Sequence, residues 1–215
     1  MATAFGLDGK RGSALRLSPM LPFSEACERN KGPILEVLRV AFADRAQVLE
    51  IGSGTGQHAV HFAAHLTHLT WHPTEQLAYL PDLASRVKLE GTRNLRQPTV
   101  LDVKQSVWPL RSVDAVYSAN TLHIMGWTEV EAMFRGIDAV LSVQGIVCVY
   151  GPFRYDGAYT SESNRDFDRM LKERDPLSGL RDLKELNALA GRHALRLRID
   201  HDLPANNRLL EFVRV

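Results

Sequence analysis

The stretch Val48-Leu49-Glu50-Ile51-Gly52-Ser53-Gly54-Thr55-Gly56-Gln57 decides how this chain folds. A short apolar run closes on an acid and opens onto glycines at every second position. Glycine permits positive φ and lets a ligand come within contact distance of the main chain. Downstream, Ala59, Val60, Phe62, Ala63 and Leu66 recur at helical spacing, so the glycines occupy a strand-to-helix turn. In open α/β sheets that turn is where nucleotide-like ligands bind, outside the carboxyl end of the strand. The helix behind it offers N-terminal amides and a positive dipole end to an anion. Glu50 narrows the choice, because it repels a pyrophosphate and suits a cationic or hydroxyl-rich group. Gly-rich turns also occur where a helix packs closely on a strand, but three alternate glycines between these two patterns favour a ligand loop.

Working outward, strand and helix patterns alternate. Residues 1–23 read as an irregular arm. Ser24 can cap a helix bearing Ile34, Leu35, Leu38 and Phe42, which Gly32-Pro33 is expected to break in two. The spacing predicts strands over 48–51, 68–71, 99–103, 113–118 and 146–150. It predicts helices over 57–65, 77–89, 127–141 (closed by Gly145), 164–172 and 180–190, then two closing strands over 194–200 and 209–215. Five alternations followed by two consecutive strands predict an α/β fold: a doubly wound, mostly parallel sheet whose C-terminal strand adds an antiparallel edge.

The 215 residues suit one domain, in which residues 1–45 cover a site built by an α/β core over 46–215. With 45% hydrophobic and 24% charged residues the composition is that of an ordinary globular protein. A net charge of +1 offers no basic surplus for nucleic acid, so no nucleic-acid partner is expected. Cys27 and Cys148 fit no metal or redox spacing. No secretory pattern and no membrane-length apolar run is present, and a cytoplasmic setting is expected.

Other residues gather near the strand ends. Asp102 follows the third strand, where a carboxylate could accept from an exocyclic amine while the Val103 N–H reaches a ring nitrogen; it reads equally as a turn or cap residue. After the fourth strand, Asn120 can donate and accept, and His123 is a candidate general base or a structural histidine. His58, His61 and His65 share a helix face, with His68 and His72 beyond. No carboxylate or cysteine completes a metal site there, and a solvated polar face is the reading; no metal is expected. Gly54-Thr55-Gly56-Gln57-His58-Ala59, with Glu75 downstream, also matches a loose dinucleotide fingerprint. That fingerprint should begin directly after the strand, and read from Gly52 its last glycine falls on Gln57. Loop, acid and polar strand ends together point instead to S-adenosylmethionine.

The order of these signals resembles the class I S-adenosylmethionine-dependent methyltransferases, which have a seven-stranded Rossmann-like fold. Glu50 with Gly52, Ser53, Gly54 and Gly56 matches their first motif, Asp102 their acid after the third strand, and Ser118 to Asn120 their post-strand-four segment. The resemblance implies that the glycine loop holds the methionine part and the later acid holds adenine. It also implies an acid at the end of the second strand for the ribose hydroxyls, a role open here to His72 or Glu75. A narrower likeness, to the uncharacterised methyltransferase-like 26 family, rests on Phe23 to Lys31, Asn120 with His123-Ile124, Tyr150 to Phe153, Ser163-Asn164 with Phe167-Asp168, Asp175-Pro176 with Arg181-Asp182, and Pro204 to Asn207. On that basis Arg29 is a candidate partner for the cofactor carboxylate. Glu28, Asn30, Tyr155, Asn164, Arg181 and Asn206 are candidates for the acceptor site, with helix capping or surface pairing as the alternative for each. The resemblance implies methyl transfer to a small molecule. A nicotinamide-dependent oxidoreductase and a non-catalytic cofactor-binding module are the competing readings.

Overall fold

A computed structural model of the chain describes residues 21–215. Its elements run α1 (Glu25–Ala41), β1 (Gln47–Ile51), α2 (Gln57–His65), β2 (Thr70–Glu75), α3 (Leu80–Glu90), β3 (Thr99–Val100), β4 (Val113–Ala119), α4 (Trp127–Val140) and β5 (Leu141–Gly151). There follow β6 (Phe153–Tyr155), β7 (Ala158–Tyr159), α5 (Glu162–Arg174), β8 (Arg181–Asp182), α6 (Leu183–Arg192), β9 (Leu195–Leu203) and β10 (Asn207–Arg214). The main sheet has seven strands in the order β3-β2-β1-β4-β5-β10-β9. Strands β1 to β5 pair in parallel, and β10 runs antiparallel to both β5 and β9. The reversed strand is thus inserted one place in from the edge, and β9 forms the edge itself. Strand order turns back between β1 and β4, the position where open α/β sheets form a crevice.

Side chains of a strand alternate between its two faces, which sorts the core into two layers. Leu49 and Ile51 pack with Phe134, Ile137 and Leu189 on one face. Val48 packs with Leu38, Phe62, Trp71 and Tyr117 on the other. Glu50 shares the parity of Val48, so its carboxylate enters that second layer.

Four local outcomes differ from the sequence reading. α1 continues unbroken through Pro33. A proline inside a helix costs about 3 kcal/mol, whereas Ile34, Leu35, Leu38 and Ala41 are all buried beyond it, and a large apolar side chain returns about 1.5–3 kcal/mol. β2 runs on past Pro73 to Glu75, and Thr74 Oγ1 donates to the Glu50 carbonyl at 2.6 Å. Gly145 lies within β5 instead of stopping α4; the chain bends at Gln144 (φ 62°) and the β4 register slips there. The short sheet β7-β6-β8 was not read from the sequence at all.

Candidate active site

A cleft of about 670 Å³ opens at the carboxyl ends of β1, β2 and β4. One end is walled by Gly52 to Thr55, Glu75, Gln76, Tyr79, Leu101 and Val103. The other is walled by Asn120, His123, Ile124, Met125, Phe167 and Arg174. The glycine loop divides its labour. A Cβ at Gly52 would stand 2.6 Å from Thr121 Cγ2, and one at Gly56 would stand 2.8 Å from Leu83 Cδ1, so these two glycines serve close packing. A Cβ at Gly54 (φ +54°) meets nothing within 4 Å. Gly54 is the point where the main chain lies open to a ligand.

Glu50 does not reach this wall. It is 2% exposed, and its carboxylate accepts a hydrogen bond from Trp71 Nε1 at 2.8 Å. Burial pushes its pKa up to about 7; the Trp71 and Ser53 hydrogen bonds oppose the rise, and the charge of Glu75 adds to it. The residue at the end of β2 is Glu75, because that strand runs four residues past the Trp71 end expected of it. Its carboxylate lines the cleft and accepts from the Gly54 N–H at 2.7 Å and the Gln76 N–H at 2.8 Å. His72 sits mid-strand, half-buried, bonded through Nε2 to Gln47 Oε1 at 2.7 Å. Of the two ribose candidates, the structure brings only Glu75 to the cleft.

β3 ends at Val100, and Leu101 and Val103 turn into the cleft from the loop beyond. Asp102 lies between them with its Oδ1 accepting from the Lys104 N–H at 2.9 Å, the turn geometry that was its alternative reading. Asn120 adopts φ 57°, a left-handed conformation that asparagine tolerates better than most residues. His123 is 6% exposed and packs edge-to-face on Phe167 with ring centroids 5.2 Å apart. Burial, and then the nearby Arg181 cation, lower its pKa to about 4, so the imidazole is neutral at physiological pH.

The polar residues of α1 fasten the helix instead of lining the cleft. Asn30 Oδ1 meets His58 Nε2 at 2.7 Å, and Glu28 pairs with Lys31 at 2.5 Å. Arg29, 72% exposed, lies 3.5 Å from Glu25. His58 is buried, contrary to the solvated face expected of it, and its Nδ1 lies 3.3 Å from Tyr117 Oη. The other acceptor candidates are likewise engaged elsewhere. Tyr155 Oη donates to Asp200 at 2.7 Å. Asn164 Nδ2 donates to Thr160 Oγ1 and to the Asn206 carbonyl, and Asn206 sits in the β9–β10 turn. Arg181 donates to the carbonyls of Leu122, Met125 and Leu177, holding the His123 loop from behind. The wall is completed by Tyr79, Met125 and Arg174, which the sequence reading passed over, and by Cys27 and Phe167, which it placed within motifs of the narrower likeness without giving them a role at the site. The i, i+7 spacing of Phe167 and Arg174 on α5 was the available signal, since it sets both on one face.

A family model described as a protein of unknown function, DUF938, matches residues 21–214. The chain belongs to the DUF938 family. Among solved structures, the fold of this DUF938 chain is similar to that of the mitomycin 7-O-methyltransferase MmcR, at a TM-score of 0.73 and 17% identity over 88% of this chain and 54% of that one. The S-adenosylmethionine-dependent methyltransferase SibL in its apo form matches at 0.74 and 16%, over 88% and 55%. A variant of LepI, solved with S-adenosylhomocysteine and a substrate analogue, matches at 0.68 and 12%, over 83% and 46%. The chain spans about half the length of these proteins, and what it shares with them is the seven-stranded, Rossmann-like methyltransferase fold. No helix of the described residues is long and apolar enough to cross a membrane.

Proposed function

We propose that the chain is an S-adenosylmethionine-dependent methyltransferase acting on an oxygen of a small-molecule acceptor in the cytoplasm. The observation that carries this reading is the open main chain at Gly54, facing the same cleft as the Glu75 carboxylate at the end of β2. The donor set suits that cofactor: Glu75 for the ribose hydroxyls, Leu101 and Val103 for the adenine, and the Gly52 to Thr55 bend for the amino-acid tail. A nicotinamide dinucleotide suits it less well, because the glycine pattern does not begin directly after the strand as that fingerprint requires, and the Gly54 N–H that would meet a pyrophosphate is already held by Glu75. The one Lys or Arg on the described cleft wall, Arg174, stands at the other end. The motifs shared with the methyltransferase-like 26 family support the same reading, and the unpaired Cys27 and Cys148 suit a reducing compartment.

When bound, the cofactor supplies an electrophilic methyl group on a sulfonium. The protein's part is alignment and exclusion of water. Phe167, Ile124 and Met125 give the acceptor an apolar seat beside His123. The neutral imidazole takes the hydroxyl proton as the oxygen gains its methyl, then returns that proton to solvent. With a pKa of about 4 it is a weak base. Calorimetry tests the reading: S-adenosylhomocysteine binds and NAD does not. Binding of NAD alone would overturn the proposal in favour of the oxidoreductase. Cofactor affinity without labelled methyl transfer to any fraction of a cell extract would leave a non-catalytic binding module.

A further inference from the structure

Of the charged side chains on the cleft wall, two are anions that already have donors. Glu75 holds the Gly54 and Gln76 amides. Glu129 accepts from the Gly126 N–H at 2.9 Å and from Lys104 Nζ at 3.0 Å. The remaining ion is Arg174, which makes no ion pair with the described residues. It ends α5 on the same wall as Phe167, seven residues earlier. A basic residue in the last turn of a helix is favoured wherever it points, and Lys172 in the same turn is paired with Asp168 at 2.6 Å. Arg174 is instead exposed, and it lines the cavity that contains the candidate base. Planar, permanently charged and able to bond bidentately, its guanidinium is matched by an oxyanion.

Building on the methyltransferase reading, we propose that the acceptor carries a carboxylate or phosphate bound by Arg174, with its methylated oxygen against His123 and Phe167. Seven residues of helix rise about 10 Å, which sets the separation between the oxygen that is methylated and the anion. Ile124 and Met125 line the same cleft, which suits an apolar body joining the two ends. Specificity then comes from the pairing of length with charge: a neutral analogue of the same shape fills the seat and leaves the guanidinium unpaired, and a short anion cannot reach both ends.

The test is binding to protein saturated with S-adenosylhomocysteine. Probes are 4-hydroxyphenyl carboxylates with zero to four methylenes before the carboxylate, the matching phosphate monoesters, and the neutral methyl esters of the acids. The acids or phosphates are expected to bind about fivefold or more tightly than the esters, the effect of one partly exposed charge pair, with the longer members favoured. The preference should fall within about twofold in Arg174→Ala, survive in part in Arg174→Lys and reverse in Arg174→Glu. S-adenosylhomocysteine affinity should stay unchanged in all three, which also shows that they fold. Equal binding of acids and esters, an anion preference that persists in Arg174→Ala, or no binding of any probe would each overturn the proposal. A tenfold loss of S-adenosylhomocysteine affinity in Arg174→Ala would overturn it too, by assigning the cation to the cofactor. Failure of S-adenosylhomocysteine to bind the unaltered protein sinks instead the methyltransferase reading beneath it.

Discussion

Replacing Glu50 by glutamine should stabilise the protein at high pH and do little at low pH. The carboxylate is 2% exposed, held by Trp71 Nε1 in an aromatic layer, and its pKa stands at about 7 against an ordinary 4.5. Between those values the folded protein keeps a proton that the unfolded chain has lost. The contribution of Glu50 to stability is therefore fully present below pH 4.5, declines as pH rises toward 7, and levels off above. The raised pKa corresponds to about 3 kcal/mol once both states are ionised. An amide stays neutral throughout and keeps an oxygen for the Trp71 indole. Glu50→Gln should thus melt close to the parent at pH 5 and about 5–10 °C above it at pH 8.5, as scanning calorimetry can record for a chain of this size. Equal gains at both pH values, or a loss at pH 8.5, would refute the reasoning. The same carboxylate offers a second readout. A cofactor ammonium settling above it favours the ionised form, so S-adenosylmethionine binding near pH 6.5 should release protons in the parent and none in Glu50→Gln, detectable from the buffer dependence of the calorimetric heat.

Other outcomes follow from the same geometry. Glu75→Ala should weaken S-adenosylhomocysteine binding about 10- to 100-fold, the worth of one or two hydrogen bonds to a charged group, while His72→Ala changes it less than twofold; calorimetry decides between the two residues. Gly52→Ala should lower the melting temperature, because its Cβ meets Thr121, whereas Gly54→Val should weaken S-adenosylhomocysteine binding at least tenfold by filling the approach to the loop. In a proton NMR titration the His123 ring should remain neutral at pH 5.5, where a free histidine is mostly charged. Buried His58, also lowered to about 4, behaves likewise: both rings support stability fully above pH 6.5 and lose that support as pH falls toward 4, which acid melts can follow.

What could be read in the sequence follows the range of the forces involved. β1, the glycine bend and α2 were legible to within a residue, because the apolar periods and three glycines are local signals. β2 is expected over 68–71 and runs instead to Glu75, past a proline that strands seldom contain; nothing local announces that Thr74 will supply the Glu50 carbonyl with a donor. That misplacement alone put His72 in competition with Glu75. Polar residues after the fifth strand read as ligand contacts or as capping and surface groups, and Asn164 and Arg181 direct their donors to main-chain carbonyls. Such carbonyls must be satisfied wherever irregular chain is buried, and only the fold shows where that is. Phe167 and Arg174 have ordinary helix spacing, and their facing the cleft depends on how α5 docks, which is long-range information.

The two ends of the cleft are built to different standards, and that difference fits a common donor with a private acceptor. The end proposed for the cofactor is braced on all sides. Gln57 Oε1 accepts from the Ser24 N–H at 2.6 Å and from Thr55 Oγ1 at 3.0 Å, tying the start of α1 to the glycine bend. Arg86 Nε donates to the Thr55 carbonyl and Nη2 to the Pro22 carbonyl, closing the same joint from α3. Ser118 Oγ donates to the Ile51 carbonyl beneath the loop. Geometry fixed in this way removes the entropic cost of arranging the donor at the moment of reaction. The end proposed for the acceptor has Arg181 as its brace behind His123, while Ile124 on its wall stands 55% exposed. An apolar side chain left in water there is a reserve of contact area that an acceptor can bury. Binding energy from that wall lies away from the reacting atoms, so it can be spent on alignment at His123. Charge at one end of the acceptor and apolar bulk along its length would together account for a site whose base is weak.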